Sequence, residues 1–269
     1  MIVRCAGRTG WALVFAGLLA GLLSGHAHAG DVDARWPALK SALFGDREVN
    51  QDVGDVLYLS VRNHPDNAAV VPVLVQARIA QRPERYIKRV YLVIDENPSP
   101  FGVRFTLTPE SGRADIETRV RLESSSPVRA IAELNDGSLW MQHTMVYAAG
   151  GCTAAFSTGR GEEGLGVMRL HVDSYSASKG EPVQARLLVQ HPQHSGMASN
   201  ATVSPHFVRQ LNVYYADRLV MSADLDFTIS ENPSFRFYFL PGADGALRAE
   251  VVDSTAVRFE QTFAVPTPN

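Results

Sequence analysis

An all-β fold, with two immunoglobulin-like β-sandwich domains in tandem behind one short N-terminal helix, is the class this sequence predicts. Three observations lead there. Short runs alternate apolar and polar residues, one such pattern occurs twice along the chain, and turn signals rich in asparagine and glycine separate the runs. Alternation at period two buries one face of a strand and leaves the other wet. In the clearest runs Ile116, Thr118, Val120 and Leu122 alternate with Glu117, Arg119 and Arg121, and Phe235, Phe237 and Phe239 alternate with Arg236 and Tyr238.

The chain begins with a segment of another kind. Arg4 and Arg8 precede an apolar run from Trp11 to Leu23, and Ala27-His28-Ala29 follows with small residues at the spacing of a cleavage site. Residues 1–29 therefore read as a secretory signal peptide, with Gly30 as the first residue of the exported form and the periplasm as the expected location. The apolar run has 13 residues, short of the roughly 20 that span a bilayer, so no membrane anchor is expected. Cys5 stands before the apolar run, where a lipid-bearing cysteine would follow it.

The one helix signal covers Asp33 to Phe44 and ends at Gly45. Strand patterns fill the rest, and they repeat. "YIKRVYLVIDENP" at 86–98 is answered by "FVRQLNVY" at 207–214 with "SENP" at 230–233, and each Glu-Asn-Pro leads through a serine into an aromatic run, "SPFGVRFTL" against "SFRFYFL". Upstream, "PVLVQARI" at 72–79 is answered by "PVQARLLVQ" at 182–190. Two copies are too few for a solenoid. Six or seven strands per copy, with turns at Asn135-Asp136-Gly137 and Gly242-Ala243-Asp244-Gly245, fit a pair of sandwiches. The second copy carries extra residues, expected as a longer hairpin around Ala216-Asp217. The domains are expected at 30–152 and 167–269, joined by a flexible glycine-rich tether at 153–166, "TAAFSTGRGEEGLG".

Charge excludes some partners. Without residues 1–29 the chain holds 23 basic and 28 acidic residues, a net charge of −5, and nothing in it favours nucleic acid. No phosphate-binding loop, nucleotide fingerprint or serine–histidine–aspartate spacing stands out. His191, His194 and His206 invite a metal reading, but Pro192 interrupts any helical pairing, and solvated loop histidines are expected with no metal. The duplicated Glu-Asn-Pro is ordinary turn chemistry. Trp36 and Trp140 are expected as core or interdomain anchors.

Cys152 is the single cysteine of the exported chain, so it has no internal disulfide partner. Gly150 and Gly151 precede it and the tether follows. Two readings stand side by side: a thin, exposed strand tip that offers its thiol to other proteins, or a small buried hydrophobe. The first reading expects a thiol of ordinary pKa, about 8.5, able to form a disulfide-linked homodimer. A catalytic nucleophile would need a base within reach. Neither histidine nor lysine occurs in the ten residues after Cys152, and His143 upstream has no assured approach.

These residues resemble a known family. "GGC" behind a β-domain resembles the carrier motif of SoxY, whose C-terminal arm ends in Gly-Gly-Cys-Gly-Gly. "LFGDREV" at 43–49 and "AAVVPVLV" at 68–75 are similar to SoxY as well. "HPQHSG" at 191–196, "PHFVRQLNVYY" at 205–215 and "SENPSFRFYFL" at 230–240 resemble SoxZ, its β-sandwich partner. In this order the segments look like the fused SoxYZ-like carriers associated with quinoprotein (PQQ-dependent) alcohol dehydrogenases. The motif departs at Thr153-Ala154, where the family has Gly-Gly, and the chain continues beyond it.

The resemblance implies a periplasmic, non-enzymatic carrier. Cys152 would covalently hold sulfur derived from thiosulfate or sulfide, with Gly150, Gly151 and Thr153 as the carrier arm. It implies no cofactor beyond the sulfur adduct, and partners among periplasmic sulfur-oxidation enzymes or a quinoprotein dehydrogenase system. The alternative is a non-catalytic accessory of such a dehydrogenase that carries no sulfur.

Overall fold

The computed structural model describes residues 33–154, 164–173, 180–198, 203–242 and 245–265. The expected signal peptide and the tether's residues 155–163 lie outside the described residues.

The helix, α1, spans Trp36–Phe44 and starts later than the expected Asp33. Pro37 stands in its first turn, the one helical place where a missing N–H costs nothing. Asp33 does not cap it, because its carboxylate accepts from the Arg129 guanidinium. The apolar side of α1 lies on a sheet, where Phe44 meets Tyr91 edge to face at 5.0 Å among Val93, Ile131, Leu139 and Met141.

Eight strands follow in the first half of the chain: β1 (Val49–Gln51), β2 (Leu57–Val61), β3 (Val71–Ala77), β4 (Ile87–Ile94), β5 (Phe101–Leu107), β6 (Ile116–Val120), β7 (Ser126–Leu134) and β8 (Leu139–Val146). The second half supplies β9 (Met168–Val172), β10 (Val183–Val189), β11 (Val208–Tyr215), β12 (Arg218–Leu225), β13 (Ser234–Phe239), β14 (Ala246–Asp253) and β15 (Arg258–Ala264). They form two sheets, one ordered β1-β8-β7-β4-β5-β12-β11-β14-β15 and one ordered β2-β3-β6-β13-β10-β9. The fold is all-β with one short helix, as expected, and the two sandwiches share both of their sheets.

The strand order of the second half is that of the first run backwards from a central seam. In the larger sheet β5 pairs with β12 in register from Leu107↔Met221 to Val103↔Leu225, and Arg104 holds Asp224 across it at 2.7 Å. In the smaller sheet Arg236 lies opposite Glu117 and pairs with its carboxylate at 2.6 Å. Phe105 and Phe235 meet between the sheets at 6.1 Å. One apolar core runs through both halves, and Trp140 packs on its margin.

The repeat is real but its register differs from the expected one. Strands β3 and β10 occupy equivalent places, as do β4 and β11. The Glu-Asn-Pro motifs do not. The first lies in the β4–β5 connection, whereas the second leads into β13 in the smaller sheet. The β11–β12 hairpin, turning on Ala216 and Asp217 at φ 46° and 61°, is the true counterpart of the β4–β5 hairpin. A stretch similar in letters therefore serves two different strands. The Asn135-Asp136-Gly137 turn joins β7 to β8 as expected, with Gly137 at φ 90°.

Candidate functional site: the Cys152 loop at the seam

After β8 the chain leaves the larger sheet and runs back along the β6–β7 connection. Tyr147 N–H donates to the Asn63 carbonyl at 2.7 Å and its ring stacks on His64. Gly150 N–H then donates to the Glu123 carbonyl at 2.7 Å, and Gly151 N–H to the Leu122 carbonyl at 2.8 Å. Both glycines are needed here. Gly150 has φ +73°, a left-handed conformation, and a Cβ on Gly151 would lie 2.2 Å from the Ala68 carbonyl oxygen and 2.5 Å from that of Leu122. Instead of thinning an arm for another protein's cleft, as the sequence suggested, Gly151 lets the loop press against its own backbone.

Polar contacts close the loop. One Glu123 carboxylate accepts from the N–H groups of Cys152 and Thr153, at 2.9 and 3.1 Å, and from the Thr153 hydroxyl at 3.0 Å. From the second half, the Ser195 hydroxyl donates to the Cys152 carbonyl at 2.8 Å. The expectation of an exposed thiol is therefore overturned: Cys152 is 0% exposed. The expected ordinary pKa is overturned with it. Burial, first, and the negative charges of Glu123 and Asp226 push the thiol up to about 12, against the opposing pull of Arg121.

Arg121 is itself buried, and its Nε has no hydrogen-bond partner. Burial lowers its pKa, while Cys152 and Glu231 act in the other direction. Its backbone is fixed on both sides, with its N–H donating to the Thr228 carbonyl at 2.7 Å and its carbonyl accepting from Asn97 at 2.8 Å. The first Glu-Asn-Pro thus has a positioning role, since Asn97 also accepts from Glu123 N–H at 2.9 Å. The second has one too. Asn232 exchanges hydrogen bonds with His191, the first residue of the "HPQHSG" loop that presents Ser195.

The histidines are not solvated loop residues. His191 is 1% exposed, and its ring meets that of His206 at 4.6 Å. His206 Nε2 lies 2.9 Å from the Asp253 carboxylate. Burial holds His191 well below the usual histidine range, at about 4. His194 reaches the same loop cluster through a backbone bridge to His206. His143, weighed as a base for Cys152, lies exposed on β8.

Sequence reasoning singled out Cys152, Gly150, Gly151 and Thr153, which the structure places in one closed loop. It missed Arg121, Glu123, Ser195 and Asp253. Each comes from a distant segment, and only the quoted "HPQHSG" held a local signal for any of them.

The family described as "Sulfur oxidation protein SoxY" matches residues 40–152, and "Sulphur oxidation protein SoxZ" matches residues 171–264. Among solved structures, the sulfur carrier protein SoxY from Chlorobium limicola f thiosulfatophilum is similar at 17% identity, over 44% of this chain and 94% of that one, with a TM-score of 0.36. A superoxide reductase (neelaredoxin) variant from Ignicoccus hospitalis is similar at 18% identity, over 34% of this chain and 78% of that one, with a TM-score of 0.31. Fibronectin(III)-like modules of Clostridium thermocellum CbhA are similar at 6% identity, over 79% of this chain and 94% of that one, with a TM-score of 0.25. No match is found among curated proteins. A SoxY segment that ends on the buried cysteine and a SoxZ segment that supplies its serine latch follow one another in one polypeptide, and the chain belongs to the fused SoxYZ-like sulfur carriers.

Proposed function

We propose that this protein is a periplasmic, non-catalytic carrier that holds a sulfur intermediate covalently on Cys152 and presents it to sulfur-oxidation enzymes. One observation carries the reading: the SoxY match ends at Cys152, and that cysteine is latched against the SoxZ half. The closed loop stores the thiol. With a pKa pushed up to about 12, it is almost wholly protonated at neutral pH, and the thiolate is the reactive form. Releasing the Glu123 and Ser195 contacts returns the sulfur to water and to an ordinary pKa. A disulfide-linked dimer is expected only from that released state.

Loading needs a partner. Joining the thiol to thiosulfate as Cys–S–S–SO₃⁻ expels one proton and two electrons, and a redox enzyme must accept those electrons. Arg121, the buried cation beside the sulfur, is suited to balance the charge of such an adduct when the loop recloses. Residues 30–152 and 167–269 would act as a SoxY–SoxZ pair within one chain, joined by the tether at 153–166.

The test is the mass of protein isolated without reductant. A persulfide or thiosulfonate adduct should be present, vanish on reduction and be missing from Cys152→Ala. Oxidation to sulfinic acid would survive the reductant. If only free thiol is found, and thiosulfate or sulfide with a host extract loads nothing, sulfur carriage is the wrong function. A second reading has its own support in the complete burial of Cys152: a quinoprotein dehydrogenase accessory in which the thiol is part of the core. It expects Cys152→Ala to leave dehydrogenase activity unchanged.

A further inference from the structure

We propose that His191, His206 and Asp253 form a binding site for one divalent transition-metal ion of the zinc class. The site is independent of the thiol. One ligand atom from each of His191, His206 and Asp253 lies within 4.8 Å of the other two. Both imidazole nitrogens approach the same oxygen, Asp253 Oδ2, at 3.8 and 2.9 Å. A zinc ion held by nitrogen and oxygen at about 2.0–2.2 Å sets its ligand atoms roughly 3.0–3.6 Å apart. Sub-ångström side-chain movement would bring the three onto one ion.

The division of labour at Asp253 supports the assignment. Its Oδ1 builds the β14–β15 turn, accepting from Thr255 N–H and hydroxyl at 2.8 Å each and from Val257 N–H at 3.0 Å. Oδ2 is left to the histidines. His191 supplies the second independent sign: its side chain is 0% exposed, yet Nε2 has no hydrogen-bond partner. A buried polar atom in a native protein normally finds one. The ring is also held by unusual backbone. Gln193 and Asn232, which flank it, both adopt φ 50°, a left-handed conformation that is uncommon for residues other than glycine.

The donor set selects the ion. Two imidazoles and one carboxylate suit zinc and its first-row neighbours, whereas calcium and magnesium favour oxygen alone and copper(I) favours sulfur. Three protein ligands leave a position open, and His206, with its side chain 23% exposed, is the side from which an ion enters. Binding has one local requirement. Gln193 N–H now donates to His191 Nδ1 at 3.3 Å, which places the ring proton on Nε2. A metal at Nε2 would move that proton to Nδ1 and turn away this long contact, shifting the loop that carries Ser195.

The experiment is a calorimetric titration of the full chain with zinc, run in a Cys152→Ser background so that the thiol cannot bind. One equivalent should bind, and His206→Ala should weaken binding at least about tenfold. His171→Ala, a change at an exposed histidine on β9, should leave it unchanged. Cobalt(II) checks the site with its histidines intact: an intense visible spectrum of a four-coordinate site, displaced by one equivalent of zinc, is expected. Failure of Cys152→Ser to bind zinc, equal affinity in His206→Ala, or a cobalt spectrum like that of the free aqueous ion would each overturn the proposal.

Discussion

The Ser195 hydroxyl reaches across the seam and donates to the Cys152 carbonyl at 2.8 Å. It also accepts from Met197 N–H at 3.2 Å. The cysteine is thus held from one side by Glu123 of its own half and from the other by a serine of the second half. Polar contacts, which can be exchanged for water when the loop opens, close a site that is otherwise buried.

Native Cys152 should react slowly with a maleimide, at a rate set by loop opening. Charge-assisted hydrogen bonds are worth about 1.5–3 kcal/mol each in net terms. Loss of one such bond corresponds to roughly 10- to 100-fold, so Glu123→Ala, which removes three, should speed labelling by at least about that much. Ser195→Ala, which removes a neutral bond of about 1 kcal/mol, should speed it roughly fivefold. Circular dichroism would confirm that both variants stay folded. Unchanged labelling in both would show that these contacts do not hold the loop.

Stability should fall at alkaline pH because of Cys152. Its folded pKa, pushed up to about 12, lies above the unfolded value of about 8.5. Between those values the unfolded or opened chain releases a proton that the closed chain keeps. The stability is therefore fully present below about pH 8.5 and lost as pH rises toward 12. Thermal unfolding from pH 7.5 to 10.5 should show a steeper decline in the native chain than in Cys152→Ser. Parallel curves would mean the thiol is not buried in solution.

Arg129 should be a stability residue without a part in carriage. Its side chain is 0% exposed, pairs with the equally buried Asp95 at 2.7 Å, bonds to Asp33 and lies 4.5 Å over the Trp36 ring. Arg129→Met strands a buried carboxylate, which typically costs about 3–5 kcal/mol. Urea unfolding should show that loss, and Asp95→Leu in the same background should recover part of it.

Cutting the chain within residues 155–163 should leave the halves together. The β5–β12 register and the Arg104–Asp224 pair at 2.7 Å hold them without the tether. Size exclusion of the nicked protein should give one peak containing both fragments. Separate elution would show that the shared sheets need a continuous chain.

The all-β class, the helix ahead of it and the β3/β10 and β4/β11 correspondences were legible in the sequence because they rest on local periodicity. Alternation of Ile116, Thr118 and Val120 sets the buried face of β6 whatever lies across from it. The pairing of Ser-Pro-Phe-Gly with Ser-Phe-Arg-Phe failed for the same reason. Local pattern says that a segment is a strand, but long-range pairing decides which sheet receives it, and β5 and β13 went to different ones. Cys152 marks the boundary most sharply. Its type, its glycines and its place between the halves were visible in one dimension. Its burial was not, since that depends on Ala68, Leu122 and Glu123, which meet it only when its own half folds, and on Ser195, which reaches it only when the two halves share their sheets. Folding of the second half by itself brought His191, His206 and Asp253 together, from three segments that had no spacing in common.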